Sequence, residues 1–230
     1  IIQRRLLHDQ KVDAHLAYNL WGLILSKQKN YDEAIEKFNK ARKIKPQYVP
    51  TYNSWGIVLY NQGKYKEAIE KYQEANEIDP YSAVTYNNWG LVLNDQGKFD
   101  EAIEKFKEAI NIDSHSFPPY FNWGLAMHNK GEYEEAIKKY KEAIDIDLSS
   151  AYTYNNLGVT FYSQKKYEEA IKNYKKAAEI NPRLALAYYN WGLALHDPGN
   201  YDEAIEKYKK AIEIEPEYAN AYHYYGVTLS

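Results

Sequence analysis

The sequence predicts an all-α fold, a solenoid of stacked antiparallel helix hairpins. Three observations predict it: a motif that recurs every 34 residues, helical spacing of the apolar residues in both halves of each repeat, and a composition that is 45% hydrophobic and 27% charged. A fixed period of this length indicates units that cannot bury their apolar faces alone and therefore stack on one another. We expect one repeat array instead of several unrelated domains.

The recurring motif reads YNLWG in its first copy and YNNWG in its third, and its last residue is called the motif glycine below. The motif glycines are Gly22, Gly56, Gly90, Gly124, Gly158, Gly192 and Gly226. Around each one, the tyrosine four residues earlier, the residue just before, the glycine itself and the residue three later fall on one side of a helix. We predict that this side of the first helix faces inward.

The second half of each repeat also has helical spacing, as in Tyr65, Ala68, Tyr72 and Ala75. The turn between the two helices often contains a glycine, which suits a left-handed conformation. These turn glycines are Gly63, Gly97, Gly131 and Gly199. Glutamates and lysines four residues apart predict ion pairs on the exposed side of the second helix. These pairs are Glu33/Lys37, Glu67/Lys71, Glu101/Lys105, Glu135/Lys139 and Glu203/Lys207.

The period predicts six full units and part of a seventh. The units are 15–48, 49–82, 83–116, 117–150, 151–184 and 185–218, and 219–230 supplies the first helix of a seventh unit. Residues 1–14 do not continue the pattern and are predicted to form a divergent N-terminal segment or cap. The last helix carries Tyr222, Tyr225 and Leu229 without a second helix to cover them. Either further residues follow in a longer protein or this open helix contacts another chain, and our hypothesis is self-association through it.

These features resemble the tetratricopeptide repeat (TPR) family, whose pattern has a large residue before a glycine, small residues in the second helix and a closing proline. The small residues here are Ala34, Ala68, Ala102, Ala136, Ala170 and Ala204, each followed by another alanine seven residues later. Ser114 and Leu148 replace the proline in units three and four. The resemblance implies a right-handed superhelix in which the first helices line a concave groove that binds a protein or peptide.

The side chains expected to line this groove are mainly amides, with aromatic and imidazole groups on the last turn of the first helix. The predicted peptide-binding residues are Asn53, Asn87, Asn88, Asn122, Asn155, Asn156, Asn190, Tyr60, Asn94, His128, Tyr162 and His196. An asparagine offers both a donor and an acceptor, so a row of them suits the backbone of an extended peptide. Asn88, Asn122, Asn156 and Asn190 resemble the asparagine ladder of the O-GlcNAc transferase family. Alternatively, these amides only solvate the helix surface.

The large residue before the motif glycine is a tryptophan in five units and is expected to lie in the core beside the glycine. These tryptophans are Trp21, Trp55, Trp89, Trp123 and Trp191. Leu157 and Tyr225 occupy the same position, which favours packing over chemistry. Stacking of these indoles on a sugar is the alternative.

Several classes of function receive no support from the sequence. The absence of cysteine removes thiol chemistry, and the histidines lack metal-ligand spacing, so we expect no catalytic residue, metal or cofactor. A net charge of −3 argues against nucleic acid as a partner, and no apolar run is long enough to cross a membrane. The groove positions carry none of the lysine and arginine residues that would grip a C-terminal carboxylate. A cytoplasmic location is the default expectation.

We therefore predict a non-catalytic scaffold that binds an extended segment of a partner protein. Two alternatives remain: a targeting segment of a larger, glycosyltransferase-like enzyme, and a structural or oligomerising solenoid without a peptide ligand. The abundance of Lys, Asn and Ile and the similarity of the units also resemble TPR arrays of bacteria that live inside host cells. That resemblance implies host proteins as partners.

Overall fold

The computed structural model describes the backbone of residues 2–229 and the side chains of residues 14–229, so Ile1 and Ser230 lie outside the described residues. The described chain contains thirteen α-helices and no strand. In chain order they are α1 (Ile2–Lys27), α2 (Tyr31–Ile44), α3 (Val49–Asn61), α4 (Tyr65–Ile78), α5 (Ala83–Asp95), α6 (Phe99–Ile112), α7 (Phe117–Lys130), α8 (Tyr133–Ile146), α9 (Ala151–Ser163), α10 (Tyr167–Ile180), α11 (Ala185–His196), α12 (Tyr201–Ile214) and α13 (Ala219–Leu229). The predicted class, an all-α solenoid of helix hairpins, is confirmed.

The chain divides after Ser114 into two compact units. Unit one contains α1 to α6, and unit two contains α7 to α13. In each unit, successive helices pack as hairpins, and each first helix also contacts the first helix of the next repeat, as α3 does with α5 and α9 with α11. The odd-numbered first helices therefore form one side of each stack.

Alanines of the second helices allow the helices to pack closely. Both alanines of every second helix are fully buried. They are Ala34, Ala41, Ala68, Ala75, Ala102, Ala109, Ala136, Ala143, Ala170, Ala177, Ala204 and Ala211. A larger side chain at these positions would have to displace a neighbouring helix, because protein interiors are close-packed.

The motif glycine lies against an aromatic ring of its own hairpin. A Cβ atom added to Gly56 would lie 2.5 Å from the Tyr72 ring, and one added to Gly192 would lie 2.4 Å from the Tyr208 ring. Similar close approaches occur at the other motif glycines except Gly226, which has open space around it. The glycine is therefore needed for the approach of the second-helix aromatic, as the sequence indicates.

The inward side of the first helix is wider than predicted. In repeats two to six, the residues five before and two after the motif glycine are buried, although the sequence pattern assigned neither to the core, whereas Ala17 and Ile24 of the first repeat are exposed. The buried residues include Thr51, Thr85, Thr153 and Ala187, and Val58, Val92, Thr160 and Ala194. The motif tyrosines Tyr86, Tyr154 and Tyr188 are only half-buried. A first helix has this wide buried face because it contacts both its own second helix and the adjacent repeat.

The turn between the helices uses a left-handed residue in every complete hairpin. The four turn glycines have φ between 73° and 96°, as predicted. Lys29 and Lys165 occupy the equivalent position in the first and fifth repeats and also adopt positive φ, at 62° and 59°. A side chain with a Cβ atom is disfavoured in this conformation, so these two turns carry a local cost.

The two ends of the described chain are helical. Helix α1 runs without a break through most of the segment expected to form a cap, whose side chains before Ala14 lie outside the described part. Helix α13 packs against α11 and α12, with Tyr222 and Leu229 about half exposed and Tyr225 partly buried. Self-association through α13 stays a prediction. Among the described residues, no helix is both long and apolar enough to span a membrane.

Candidate functional site

The exposed side of the first helices is the main candidate surface, and we call it the first-helix face. It contains the residues six, three and two before the motif glycine and those one and four after it. Aliphatic and aromatic side chains are exposed on it: Val84 is 61% exposed in unit one and Tyr152 is 58% exposed in unit two. Apart from histidines, all side chains in these five rows are uncharged. The face is thus neutral and partly apolar.

Two of the asparagines three residues before the motif glycine, Asn53 and Asn155, bond to the next first helix instead of facing outward. Asn53 is 7% exposed, and its Oδ1 atom accepts a hydrogen bond of 3.1 Å from the Thr85 hydroxyl on the next first helix. Asn155 is 2% exposed, and its Oδ1 atom accepts a hydrogen bond of 3.0 Å from the Asn190 amide. These two amides join adjacent repeats, which differs from the open ladder that the sequence predicted.

The asparagines two residues before the motif glycine are more accessible. Asn88, Asn156 and Asn190 are half-buried on the first-helix face, whereas Asn122 is buried. Asn87, in the row before, is also half-buried and donates a long hydrogen bond of 3.5 Å to the Oδ1 atom of Asn88. The accessible amides in the row two residues before the motif glycine are therefore Asn88 in unit one, and Asn156 and Asn190 in unit two.

The tyrosines four residues after the motif glycine bind an aspartate of the following repeat. The Tyr162 hydroxyl donates a hydrogen bond of 2.6 Å to Asp197, and the Tyr60 hydroxyl donates to Asp95. Asp95 also accepts a hydrogen bond of 3.3 Å from the Asn94 amide. Burial, followed by the bonded aspartate, raises the pKa of both tyrosines well above the usual range. Both phenols therefore stay protonated as donors.

Histidines in the same row bind a threonine of the following repeat. The Nδ1 atoms of His128 and His196 lie 3.0 Å from the hydroxyls of Thr160 and Thr228. Each threonine hydroxyl also donates to the carbonyl oxygen four residues earlier in its own helix. The hydroxyl therefore accepts from the imidazole, which assigns the proton to Nδ1. Burial lowers the pKa of His128 and favours the neutral ring.

These contacts follow a pairing rule that sequence reasoning missed. A histidine in this row pairs with a threonine 32 residues later, and a tyrosine pairs with an aspartate 35 residues later. The repeat alignment contained the signal, because the partners occupy fixed positions and change together along the chain. The predicted ligand-binding residues Tyr60, His128, Tyr162 and His196 therefore already hold neighbouring repeats together.

A lysine of the second helix lies over each tryptophan, and the tryptophans are less buried than predicted, since only Trp55 is buried and Trp21 is 50% exposed. Every indole has a lysine ammonium 4.0 to 4.7 Å from its ring centroid. The pairs are Trp21/Lys37, Trp55/Lys71, Trp89/Lys105, Trp123/Lys139 and Trp191/Lys207. The sequence predicted that each of these lysines pairs with the glutamate four residues earlier on the exposed side of the helix, and this prediction is wrong. Their ammonium groups lie over the indoles instead, and Lys71 and Lys139 pair with Glu74 and Glu142.

The fifth repeat lacks both members of this pair. It has Leu157 in place of the tryptophan and Asn173 in place of the lysine. The lysine is therefore present in each full repeat that has the tryptophan and absent from the one that lacks it. This joint replacement is the signal from which the contact could have been read in the sequence.

The glycine-centred hairpins of this chain match the model of a known repeat family. A model described as TPR repeat matches the chain in six overlapping segments, 22–63, 56–97, 90–131, 128–165, 160–199 and 192–230. The chain belongs to the TPR repeat family. A comparison with curated proteins finds no match.

Solved TPR structures are similar to this chain over most of its length. MamA is 31% identical, with a TM-score of 0.63, and the match covers 71% of this chain and 96% of MamA. YrrB, described as a TPR protein with an unusual peptide-binding site, is 22% identical with a TM-score of 0.60, covering 81% of this chain and 96% of YrrB. A chain of the Cut9–Hcn1 hetero-tetramer is 18% identical with a TM-score of 0.80. The match covers 98% of this TPR chain and 45% of that one.

Proposed function

We propose that this TPR protein is a non-catalytic scaffold that holds extended segments of partner proteins, each on the first-helix face of one unit. The observation that carries the proposal is the combination of accessible amides with exposed apolar side chains on a face whose rows lack charged residues. Asn88 in unit one, and Asn156 and Asn190 in unit two, would bind the backbone of a segment lying on their own unit, because an amide both donates and accepts. Val84, Tyr152 and Leu186 would contact its side chains.

The structure narrows the set of residues that we assign to this role. Asn53 and Asn155 are buried and already bonded, so they support the neighbouring first helix instead of contacting a ligand. Asn190 would serve both roles. Its Nδ2 atom donates to Asn155 of the preceding repeat, and its Oδ1 atom, to which no described residue bonds, would accept from the peptide backbone. YrrB, with its peptide-binding site, supports the idea that a TPR stack of this kind binds a peptide.

A quantitative pull-down tests this proposal. The tagged protein is compared with an Asn88→Ala/Asn156→Ala variant, and the captured proteins are measured by mass spectrometry. A matched control replaces two exposed amides of second helices, Gln73→Ala and Asn111→Ala. Each unit of the first variant loses one amide, which removes about 1 kcal/mol of binding, so we expect capture of a partner segment held by either unit to fall about fivefold. Equal capture by all three proteins would refute binding on the first-helix face, provided that circular dichroism shows equal folding.

A further inference from the structure

A recess in the fifth repeat lies outside the first-helix face. It has a volume of about 370 Å³ and lies between α9 and α10. Its lining residues are Tyr154, Lys172, Asn173, Lys175, Lys176 and Glu179. The recess therefore combines one aromatic ring with a group of lysines on a single helix.

The other repeats show what normally lies beside this tyrosine. In the first and sixth repeats the motif tyrosine stacks on the tryptophan, with ring centroids 6.4 Å apart, and a lysine covers the indole. Tyr154 has neither partner, because Leu157 and Asn173 replace them. The Asn173 amide donates to the backbone oxygen of Glu169, 2.8 Å away, and so lies along its own helix. Among the described residues, no ring stacks on Tyr154.

The charge of the recess is positive although the chain as a whole is negative. Three lysines line it, and one glutamate, Glu179, lies 3.5 Å from Lys176. The residue equivalent to Lys172 in the sixth repeat is Glu206, so this excess of positive charge is not a feature of every second helix. The recess would attract an acidic segment.

We propose that this recess is a second binding site, which takes an aromatic side chain carried on an acidic peptide segment. The aromatic ring of the partner packs against Tyr154, which lacks the indole neighbour that the motif tyrosine has in the first and sixth repeats. Acidic residues on either side of it meet Lys172 and Lys176. Offset or edge contacts between aromatic rings favour this arrangement beyond the area that they bury.

Isothermal titration calorimetry with short peptides tests this site. The probe is acetylated Asp-Glu-Trp-Glu-Asp amide, and two comparison peptides carry alanine in place of the tryptophan or amides in place of the acids. We expect the probe to bind and each comparison peptide to bind at least about fivefold more weakly, as expected for one aromatic pair or several exposed ion pairs. No binding of the probe, or equal binding of all three peptides, would overturn the proposal.

Variants taken from the protein's own repeats give the decisive comparison. Leu157→Trp with Asn173→Lys rebuilds the pair that five other repeats carry and should fill the recess, weakening the probe about tenfold or more. Lys172→Glu copies the sixth repeat and should weaken it about threefold to fivefold. Lys138→Glu makes the same charge change at the equivalent position of the fourth repeat and should have no effect. Unchanged binding by the rebuilt pair, or equal losses with both lysine variants, would contradict the site.

This second site is separable from the proposed scaffold function. The Asn88→Ala/Asn156→Ala variant should bind the probe as the unaltered protein does, because neither amide lines the recess. A loss of probe binding in that variant would overturn the assignment of the probe to this recess.

Discussion

The motif glycines illustrate how single atoms set the distance between helices. Each of the first six leaves room for an aromatic ring that lies where a Cβ atom would be. The ring belongs to the second helix of the same repeat and is almost fully buried. Because the ring is buried and lies so close to the glycine, the packing of the two helices depends on the absence of a Cβ atom at that position.

A glycine-to-alanine pair tests this dependence. Gly158→Ala places a methyl group 2.6 Å from the Tyr174 ring and should destabilise the protein by about 1 to 3 kcal/mol through overpacking. Gly226→Ala meets no atom within 4 Å and should be neutral or slightly stabilising, because alanine favours a helix. Urea unfolding followed by circular dichroism measures both. Equal effects of the two changes would argue against the close approach.

His128 is expected to make stability depend on pH. Burial lowers its pKa below the ordinary value of 6.5 in the folded protein, so the unfolded chain takes up a proton at higher pH. Its contribution to stability is therefore complete above about pH 6.5 and is lost as the pH falls from there through the folded pKa. The Tyr133 ring and the Thr160 hydroxyl are its contacts in the structure.

The measurement compares the unaltered protein with His128→Gln. Between about pH 7.5 and pH 5.5, the melting temperature of the unaltered protein should fall by more than that of the variant, because glutamine does not take up a proton. Identical pH dependence of the two proteins would contradict the role of His128.

At the level of the elements, the turns differ although the helices on either side of them are alike. The fifth repeat makes its turn with Lys165 at a positive φ, where the fourth repeat uses Gly131. The backbone keeps the same turn because the packed helices on both sides determine it. The lysine therefore carries strain that glycine would remove.

Lys165→Gly should accordingly stabilise the protein. The free energy of unfolding should rise by about 0.5 to 1 kcal/mol. Glycine removes the cost of a left-handed residue, but part of this gain is offset by the greater freedom of glycine in the unfolded chain. Gly131→Lys makes the reverse change in the adjacent repeat and should destabilise by a similar amount. Both are measured by denaturant unfolding, and a loss of stability with Lys165→Gly would show that the turn is not strained.

On the scale of the whole molecule, each unit has buried clusters of its own. Phe38, Val58 and Tyr72 belong to one cluster in unit one, and Ile137, Tyr140 and Leu157 belong to one in unit two. In repeat proteins, stability is approximately a sum over repeats and their nearest-neighbour contacts. Either unit thus has the internal contacts that a folded fragment needs.

Separate expression of residues 1–114 and 115–230 should therefore yield two helical proteins. Each should unfold with about half of the denaturant dependence of the full chain, because that slope scales with the surface exposed on unfolding. Circular dichroism with urea titration measures both quantities. A fragment without helical signal would show that repeats on both sides of Ser114 are needed for folding.

The sequence by itself determined the family, the hairpins, the left-handed turn glycines and the buried alanines. These follow from the 34-residue period and from helical spacing, which are local properties of the chain. Spacing shows which residues share a side of a helix, but it does not show what lies opposite them. The partners of Asn53, Asn155 and His128, and the lysines over the tryptophans, were decided by contacts between different helices. Only the tertiary structure revealed that part of the predicted ligand-binding set holds the repeats together.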